Sequence, residues 1–497
     1  MGVSQKLQDV RGYEEKMGAG IKESMRPAFH LSSRVGWMND PNGFSYYKEK
    51  YHLFYQYYPY NTVWGPCFWG HAVSEDLLHW EYLPAALAPD MPYDKDGCFS
   101  GSAMELEDGR QLLIYTGVVR TEDEYGNPKD IQQQCLAAGD GLDYDKLEIN
   151  PVLTQKDLPE GCSRYDFRDP KIWKEKDGTY RCVTCCATND RDARIMMFSS
   201  LDAIRWRRGK LLIANNDRFG KVWECPDFFE LDGKWVLLTS PMDMLPEGFE
   251  YHNGNGTLCL IGDYDSEKGT FIPQHDQTID YGIDFYATQT ILTPDGRRVM
   301  IAWMQNWDTT PGYRLEPTTW FGQMTIPREL SVRDGRLYQK PVREFDLLRR
   351  DCVAYENVYV NGETRLEGVS GRCVDLELNV QAADPDKVYE CFEIRFASAG
   401  RCYTTLSYQP REQIMKIDRK FSGSRRAIIH QRRALVPAKD GSVKIRLILD
   451  RFSAEAFIQD GRQTMTANLY TDQSADGISF NAEGAAVLNI KKYSIMM

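Results

Sequence analysis

A unit of polar marker, short strand, tight turn and second strand recurs five times between Asn39 and Trp303, and it constrains the fold more than any other feature. The markers are Asn39-Asp40-Pro41, Phe99-Ser100-Gly101, Arg168-Asp169-Pro170, Glu224-Cys225-Pro226 and Asp284-Phe285-Tyr286. Each leads into an apolar run, then into Lys48-Glu49-Lys50 or one of Asp108-Gly109, Asp177-Gly178, Asp232-Gly233 and Asp295-Gly296, then into a second apolar run. Asp-Gly between two such runs signals a hairpin, because its turn needs positive φ. Centred on residues 40, 100, 169, 224 and 284, the markers are 60, 69, 55 and 60 residues apart. Near-equal β-rich units of this length predict an all-β fold, a five-bladed β-propeller whose innermost strands line one axis. A polar side chain at the same place in every unit then converges on one funnel. Four of the five markers carry a carboxylate, although a packed core gains nothing from unpaired acids. The repeat therefore points to chemistry at the axis.

The first marker lies within Trp37-Met38-Asn39-Asp40-Pro41-Asn42-Gly43. A residue before proline is pushed out of the helical region, and Asn, Pro and Gly favour turns. The stretch predicts a turn at the start of a strand, with the Asp40 carboxylate aimed out of the sheet. Alone, Asp-Pro-Asn-Gly describes an ordinary turn. Its recurrence downstream is what gives it weight.

At 497 residues the chain is expected to form two domains. Residues 1–28 form an N-terminal extension whose pattern over 4–17 suits a helix, and residues 29–340 hold the repeats. Residues 341–352, with Pro341 near the start and Arg349-Arg350 at the end, predict a linking helix. Alternation such as Val374-Asp375-Leu376-Glu377-Leu378 then predicts half-buried strands, and residues 353–497 read as a β-sandwich. Few acids and aromatics cluster there, so its expected role is structural, with sheet surfaces able to pair two copies into a homo-oligomer.

The net charge of −12 argues against nucleic acid or an anionic membrane as partner. No apolar run reaches the roughly 18 residues that span a bilayer, and residues 1–26 lack the apolar core of a secretory signal. The 13 cysteines are odd in number and scattered, as reduced thiols are, and the expectation is a cytoplasmic protein. Cys182-x-x-Cys185-Cys186 has no second pair at metal-binding spacing and reads as a core strand. None of the seven histidines occupies a marker, so no metal, cofactor or histidine-based nucleophile is expected. Abundant aromatics, 11 Trp, 28 Tyr and 21 Phe, suit both β-packing and sugar stacking.

These motifs, in this order, resemble glycoside hydrolase family 32, which includes invertases, sucrose-6-phosphate hydrolases, inulinases, levanases and fructosyltransferases. The resemblance runs from about Phe29 to the C-terminus. It rests on residues 37–43, Phe54-Tyr55-Gln56, Trp64-Gly65-Pro66, Trp69-Gly70-His71, His79-Trp80, Phe99-Ser100-Gly101-Ser102, Arg168-Asp169-Pro170 and Trp223-Glu224-Cys225-Pro226. Thr325-Ile326-Pro327-Arg328-Glu329-Leu330 and the set Asp450, Ser453, Glu455 and Phe457 complete it.

The resemblance implies a five-bladed propeller followed by a β-sandwich, and retaining hydrolysis of terminal β-fructofuranosides. It implies Asp40 as nucleophile, Glu224 as general acid/base and Asp169 as the residue that holds fructose hydroxyls in the transition state. Retention needs two carboxyl groups about 5–5.5 Å apart, one attacking and one protonating the leaving oxygen. A shared acidic funnel suits that division, because neighbouring negative charge disfavours ionising a second carboxyl.

Arg168 either neutralises part of the acid cluster and orients Asp169 or forms a structural ion pair. Asn39 and Gln56 are candidate hydroxyl partners, and Ser100 a further polar contact. Trp37, Trp64, Phe99 and Trp303 are candidates for an apolar wall against fructose, with blade packing as the alternative for each. Tyr286 is placed on the leaving-group side. Asp284 is open between binding and structure. Thr288 stands where many relatives carry proline, which affects local stiffness rather than either acid.

The expected substrate is sucrose or a short fructo-oligosaccharide, a small-molecule β-fructoside. Alternatives are sucrose 6-phosphate as substrate, fructosyl transfer to a sugar through the same covalent intermediate, and, ranked low because all three acids are present, an inactive fructoside-binding protein.

Overall fold

A computed structural model of the protein describes residues 3–123, 125–310, 319–423, 429–438 and 440–497. Five sheets of the expected kind follow one another. The first contains Gly36–Tyr47, Lys50–Tyr58, Phe68–Ser74 and Trp80–Leu87, and the second Gly97–Glu105, Gln111–Glu122, Pro128–Gly139 and Tyr144–Lys146. The third is built from Arg168–Lys174, Tyr180–Ala187, Ala193–Ser200 and Lys210–Ala214, and the fourth from Val222–Leu231, Lys234–Met242, Leu258–Asp265 and Thr270–Gln277. The fifth comprises Tyr286–Leu292, Arg298–Trp303, Arg328–Arg333 and Arg336–Pro341. The chain is a five-bladed β-propeller. Trp320–Phe321 adds a parallel strand to Gly36-Trp37, so a late segment closes the ring onto the first blade. The Cys182-Cys185-Cys186 stretch lies in a buried core strand, as its sequence suggested.

Four markers, and the last residue of the fifth, sit on the first strand of their blades, and every one of these strands carries a β-bulge there. In the first blade Met38 faces Tyr57 and Pro41 faces Tyr55, so one extra residue is accommodated between them. The same single extra residue occurs between Phe99 and Gly101, Arg168 and Lys171, Glu224 and Asp227, and Tyr286 and Gln289. Proline or glycine stands in four of these bulges, where a ladder hydrogen bond is already lost. The expected turn at residues 39–43 is thus a pair of bulges within the continuous strand Gly36–Tyr47, the second between Asn42 and Ser45. Gly43 is needed there: its φ is +53°, and a Cβ would lie 2.5 Å from the Phe54 ring.

Bulge register also relocates the fifth marker. The first unpaired residue after Tyr286 is Ala287, in register with Ser100, Asp169 and Cys225, and Asp40, which shares with Asp169 and Cys225 its place before a proline, is their counterpart in the first blade. Asp284 lies two residues before the strand begins. Three of the bulge residues, Asp169, Cys225 and Ala287, have positive φ.

The helix Gln5–Gly18 packs on the edge of the first blade, with Ser4 as N-cap accepting from the Leu7 amide and Leu7 and Val10 buried. Residues 1 and 2 of the 1–28 extension lie outside the described residues. The segment read as a linking helix over 341–352 is helical only at Arg343–Leu348, as a 3₁₀ turn without a side-chain cap. From Arg349 the chain is already a strand: its guanidinium meets Asp375 at 2.7 Å and Glu377 at 2.6 Å, and Arg349 pairs with Ile495.

Among the described residues the C-terminal region is sandwich-like, built from one ten-stranded sheet folded on itself rather than two separate sheets. The nineteen-residue strand Gly477–Ile495 makes the fold. Its first part pairs with Cys391–Ala399 and its second with Val374–Ala382, with Gly484 at φ +85° between them. The two leaves enclose one apolar core, in which Ile394, Leu406 and Met415 face Leu376, Leu447 and Met465.

Candidate active site

The bulges sort the axial side chains into tiers. At the bulge positions, Ser100 Oγ donates to Asp40 Oδ2 at 2.6 Å. The Cys225 thiol lies 3.6 Å from the same Asp40 oxygen and 3.8 Å from Asp169 Oδ2, which also accepts from the Cys225 amide at 2.9 Å. Ser100, Asp40, Cys225 and Asp169 therefore form one connected chain of contacts around the axis. One residue earlier on each strand stand Asn39, Phe99, Arg168, Glu224 and Tyr286. Arg168 donates to Glu224 Oε1 from Nε at 3.2 Å and Nη2 at 3.1 Å, and the Tyr286 hydroxyl donates to Glu224 Oε2 at 2.7 Å. Glu224 and Phe99 are partly exposed while Asp40, Ser100, Asp169 and Cys225 are buried, so these two side chains stand nearer the mouth.

Two residues beyond the bulges, Lys171 meets Asp227 at 3.1 Å and Gln289 Oε1 at 3.2 Å, and Gln289 reaches the Gly101 carbonyl at 3.2 Å. This buried polar layer closes the axis beneath the acids. The arrangement is a funnel with a floor.

The two inner acids are both buried. Desolvation, with the Glu224 charge adding to it, pushes Asp40 up from 3.8 to about 6, against hydrogen bonds from Ser100, Asn39 and Cys225. Asp169 is also raised, chiefly by burial and then by the Glu224 and Asp40 charges, although Arg168, 3.8 Å away, pulls the other way. Burial and the Glu224 charge likewise raise Tyr286, which keeps its proton and remains a donor.

Of the residues singled out in the sequence, Asp40, Asp169, Glu224, Asn39, Gln56, Ser100, Arg168 and Tyr286 come together at this axis. Asn39 Nδ2 donates to Asp40 Oδ1 at 3.1 Å, and Gln56 donates to Ser100 and, at 3.4 Å, to Asp40. Trp64, exposed at the surface, meets the partly buried Phe99 edge-on with centroids 6.1 Å apart, and the two stand at the mouth. Trp37 and Trp303 are 1% and 0% exposed, in a cluster with Phe321 and Trp307. Trp37 acts on the site through its indole N–H, which donates to Asn39 Oδ1 at 2.7 Å.

Residues the sequence reading passed over are Cys225, Thr116 and Gln132. Thr116 Oγ1 accepts from the Asp169 amide at 3.0 Å, and Gln132 Oε1 accepts from Arg168 Nη1 at 3.3 Å. Cys225 stood inside a marker and was legible as a site residue. Thr116 and Gln132 come from second and third strands, where no repeat marks them.

A family model described as Glycosyl hydrolases family 32 N-terminal domain matches residues 30–341, and one for the family 32 C terminal matches residues 344–496. The chain belongs to glycosyl hydrolase family 32. It is 36% identical to raffinose invertase of Escherichia coli over 98% of each chain, and 33% identical to sucrose-6-phosphate hydrolase of Bacillus subtilis, again over 98% of each. Among solved structures, a family 32 β-fructofuranosidase mutant from Bombyx mori in complex with sucrose superimposes with a TM-score of 0.83 at 32% identity, covering 100% of this chain and 99% of that one. The protein is a glycoside hydrolase.

One consequence for this family 32 site follows from Ser100. Its hydroxyl stabilises the charged form of Asp40, so Ser100→Ala raises the Asp40 pKa further. If Asp40 must be ionised to act, the acid limb of the kcat/KM–pH profile moves to higher pH by about half a unit to one unit. A limb that stays in place would separate it from Asp40.

Proposed function

We propose that this family 32 enzyme is a retaining β-fructofuranosidase acting on sucrose or short fructo-oligosaccharides, with Asp40 as nucleophile, Glu224 as general acid/base and Asp169 as transition-state stabiliser. The observation that carries the assignment is the contrast between two carboxyl groups one tier apart. Asp40 is packed against donors at the bottom of the funnel, whereas Glu224 stands at the exposed level where a leaving group must depart.

The chemistry divides accordingly. Above about pH 6 Asp40 is a carboxylate, and it attacks C2 of the fructosyl unit. The C2–O bond breaks as protonated Glu224 gives its proton to the departing oxygen. Glu224, now a carboxylate held by Arg168 and Tyr286, takes a proton from water as that water attacks C2 and frees Asp40. Asp169, anchored on the Cys225 amide, presents negative charge to the oxocarbenium-like transition state and accepts from fructose hydroxyls.

The names of the relatives and the sucrose held by the Bombyx mori neighbour support a β-fructoside as the small-molecule partner. Whole-length likeness to sucrose-6-phosphate hydrolases keeps sucrose 6-phosphate as the second substrate reading. A cytoplasmic location belongs to the same proposal: all thirteen cysteines are free, and among the described residues no helix is long and apolar enough to cross a membrane.

Fructose release from sucrose, sucrose 6-phosphate, kestose and inulin, with Glu224→Gln as blank, tests the reading. The kcat/KM ratios name the substrate, and free glucose without matching fructose identifies transfer. Glu224→Gln slows sucrose by about 10²–10⁴-fold and an activated aryl fructoside far less, since proton donation matters most for a poor leaving group. Equal slowing of both would remove Glu224 from the acid role.

A further inference from the structure

Between the fifth-blade strand and the C-terminal sheet lies a buried ion pair that the chemistry above does not use. Asp284, 0% exposed, binds the guanidinium of Arg419, a sandwich residue 135 positions away and itself buried. Arg419 Nη2 lies 3.3 Å from Asp284 Oδ1, and the arginine's other contacts are the Asn468 carbonyl at 3.2 Å, the Tyr470 hydroxyl at 3.1 Å and the Ile429 carbonyl at 3.2 Å. On the propeller side Thr309 Oγ1 donates to Asp284 Oδ1 at 2.8 Å, and the Asn468 amide donates to Oδ2 at 2.7 Å. The carboxylate is thus surrounded by donors, most of them supplied by the sandwich.

The backbone around it is held the same way. Tyr281 and Ile283 donate to the carbonyls of Thr464 and Thr466 at 2.8 and 2.7 Å, so residues 281–284 run along the sandwich strand Gln463–Asn468. Two residues after Asp284 comes Tyr286, whose hydroxyl is one of the two anchors of Glu224. A buried ion pair contributes little net stability over an apolar contact, because desolvating two charges offsets their attraction. What it contributes is geometry.

We propose that Arg419 is a positioning residue for the acid/base: the sandwich domain, through Arg419 and Asp284, sets where Tyr286 begins its strand and so where Glu224 is held. This rests on Glu224 serving as general acid/base. It gives the C-terminal domain a part in the reaction, and it settles Asp284 on the structural side of the two roles left open for it in the sequence.

The test uses Arg419→Gln, Tyr286→Phe and the double variant in the full chain. Arg419→Gln lowers kcat on sucrose about tenfold with KM within about twofold, and slows an activated aryl fructoside about twofold or less. In the Tyr286→Phe background the same substitution costs about twofold or less, because the link it acts through is gone. Arg419→Lys restores part of the lost rate, to about threefold below wild type, and if Arg419→Gln does not fold, Arg419→Lys carries the same comparisons with that factor.

Equal slowing of both substrates, or a tenfold loss that persists without the tyrosine hydroxyl, overturns the proposal. A wild-type chain releasing fructose from no β-fructoside overturns the functional reading instead. Positioning is then read by amide hydrogen exchange: Arg419→Gln speeds exchange at residues 284–287 about tenfold or more while residues 102–106 are unchanged, and no local change rejects it.

Discussion

Replacing Asp40 with asparagine abolishes turnover of β-fructosides, by about 10⁴-fold or more, and raises the melting temperature at neutral pH. The activity loss follows from the nucleophile role proposed for Asp40, because the variant lacks the carboxylate that would form the covalent intermediate. The stability gain follows from the environment. Burial and the Glu224 charge lift the carboxyl from 3.8 to about 6, which costs the folded state about 3 kcal/mol at neutral pH compared with a solvated carboxylate. The sign is definite: below pH 3.8 Asp40 is protonated in both folded and unfolded chains and the cost vanishes. It grows as pH rises from 3.8 and is complete above about 6. The variant and the wild type therefore melt together near pH 3.5, and the variant melts several degrees higher at pH 7. An uncharged amide that left the pH 7 melting temperature unchanged would mean that Asp40 is not desolvated in solution, and its raised pKa would have to be abandoned. The site spends stability on reactivity.

Much of this was readable from residue order alone. The repeat spacing is a property of blade length, so the propeller was visible without any contact. The three acids were visible because each falls within one residue of the same point of its repeat. Offsets of one to three residues were not visible, because the start of a strand and the place of its bulge leave no mark in composition. That is why Asp284 looked like the fifth marker although Ala287 holds the bulge position, and why Glu224 looked level with Asp40 although it stands one tier above. The strand Arg349–Thr364 was hidden by its polarity, since it is mostly exposed. Trp37 and Trp303 have the residue type of a sugar platform, yet their place is decided by Phe321 and Trp307 from elsewhere in the chain. Partners chosen by domain docking, such as Arg419 for Asp284, leave no local pattern to find. The same limit applied to Arg328, whose motif was legible and whose role was not.

Arg328→Met destabilises the protein by about 3–5 kcal/mol. The guanidinium is wholly buried between the domains. It meets Glu455 Oε2 at 2.6 and 3.1 Å, Asp280 Oδ2 at 3.0 Å, Gln339 at 2.9 Å and Thr466 at 2.7 Å, with the Phe285 and Phe457 rings beside it. Methionine fills the space but leaves two buried carboxylates without their shared cation. Glu455 then keeps the Ile326 amide at 2.9 Å and His30, which lies 2.9 Å from it and 2.7 Å from Asp450. Burial opposes charge on that histidine, yet its hydrogen bonds to Asp450 and Glu455 lift it from 6.5 to about 9. The histidine's contribution is full below pH 6.5 and is lost as pH rises through about 9, whereas arginine keeps its charge throughout. Urea midpoints should therefore be lower for Arg328→Met at every pH between 6 and 9.5, while His30→Gln flattens the decline that the wild type shows across that range. Replacing Asp280, Arg328 and Glu455 together by apolar residues should recover much of the loss, because the cost lies in the unpaired charge rather than in the missing contact. If the triple variant is no more stable than the single one, the cluster is required for docking in its own right. If Arg328→Met unfolds at the wild-type midpoint, the domains are held by their apolar contacts, and the charges at the interface are incidental.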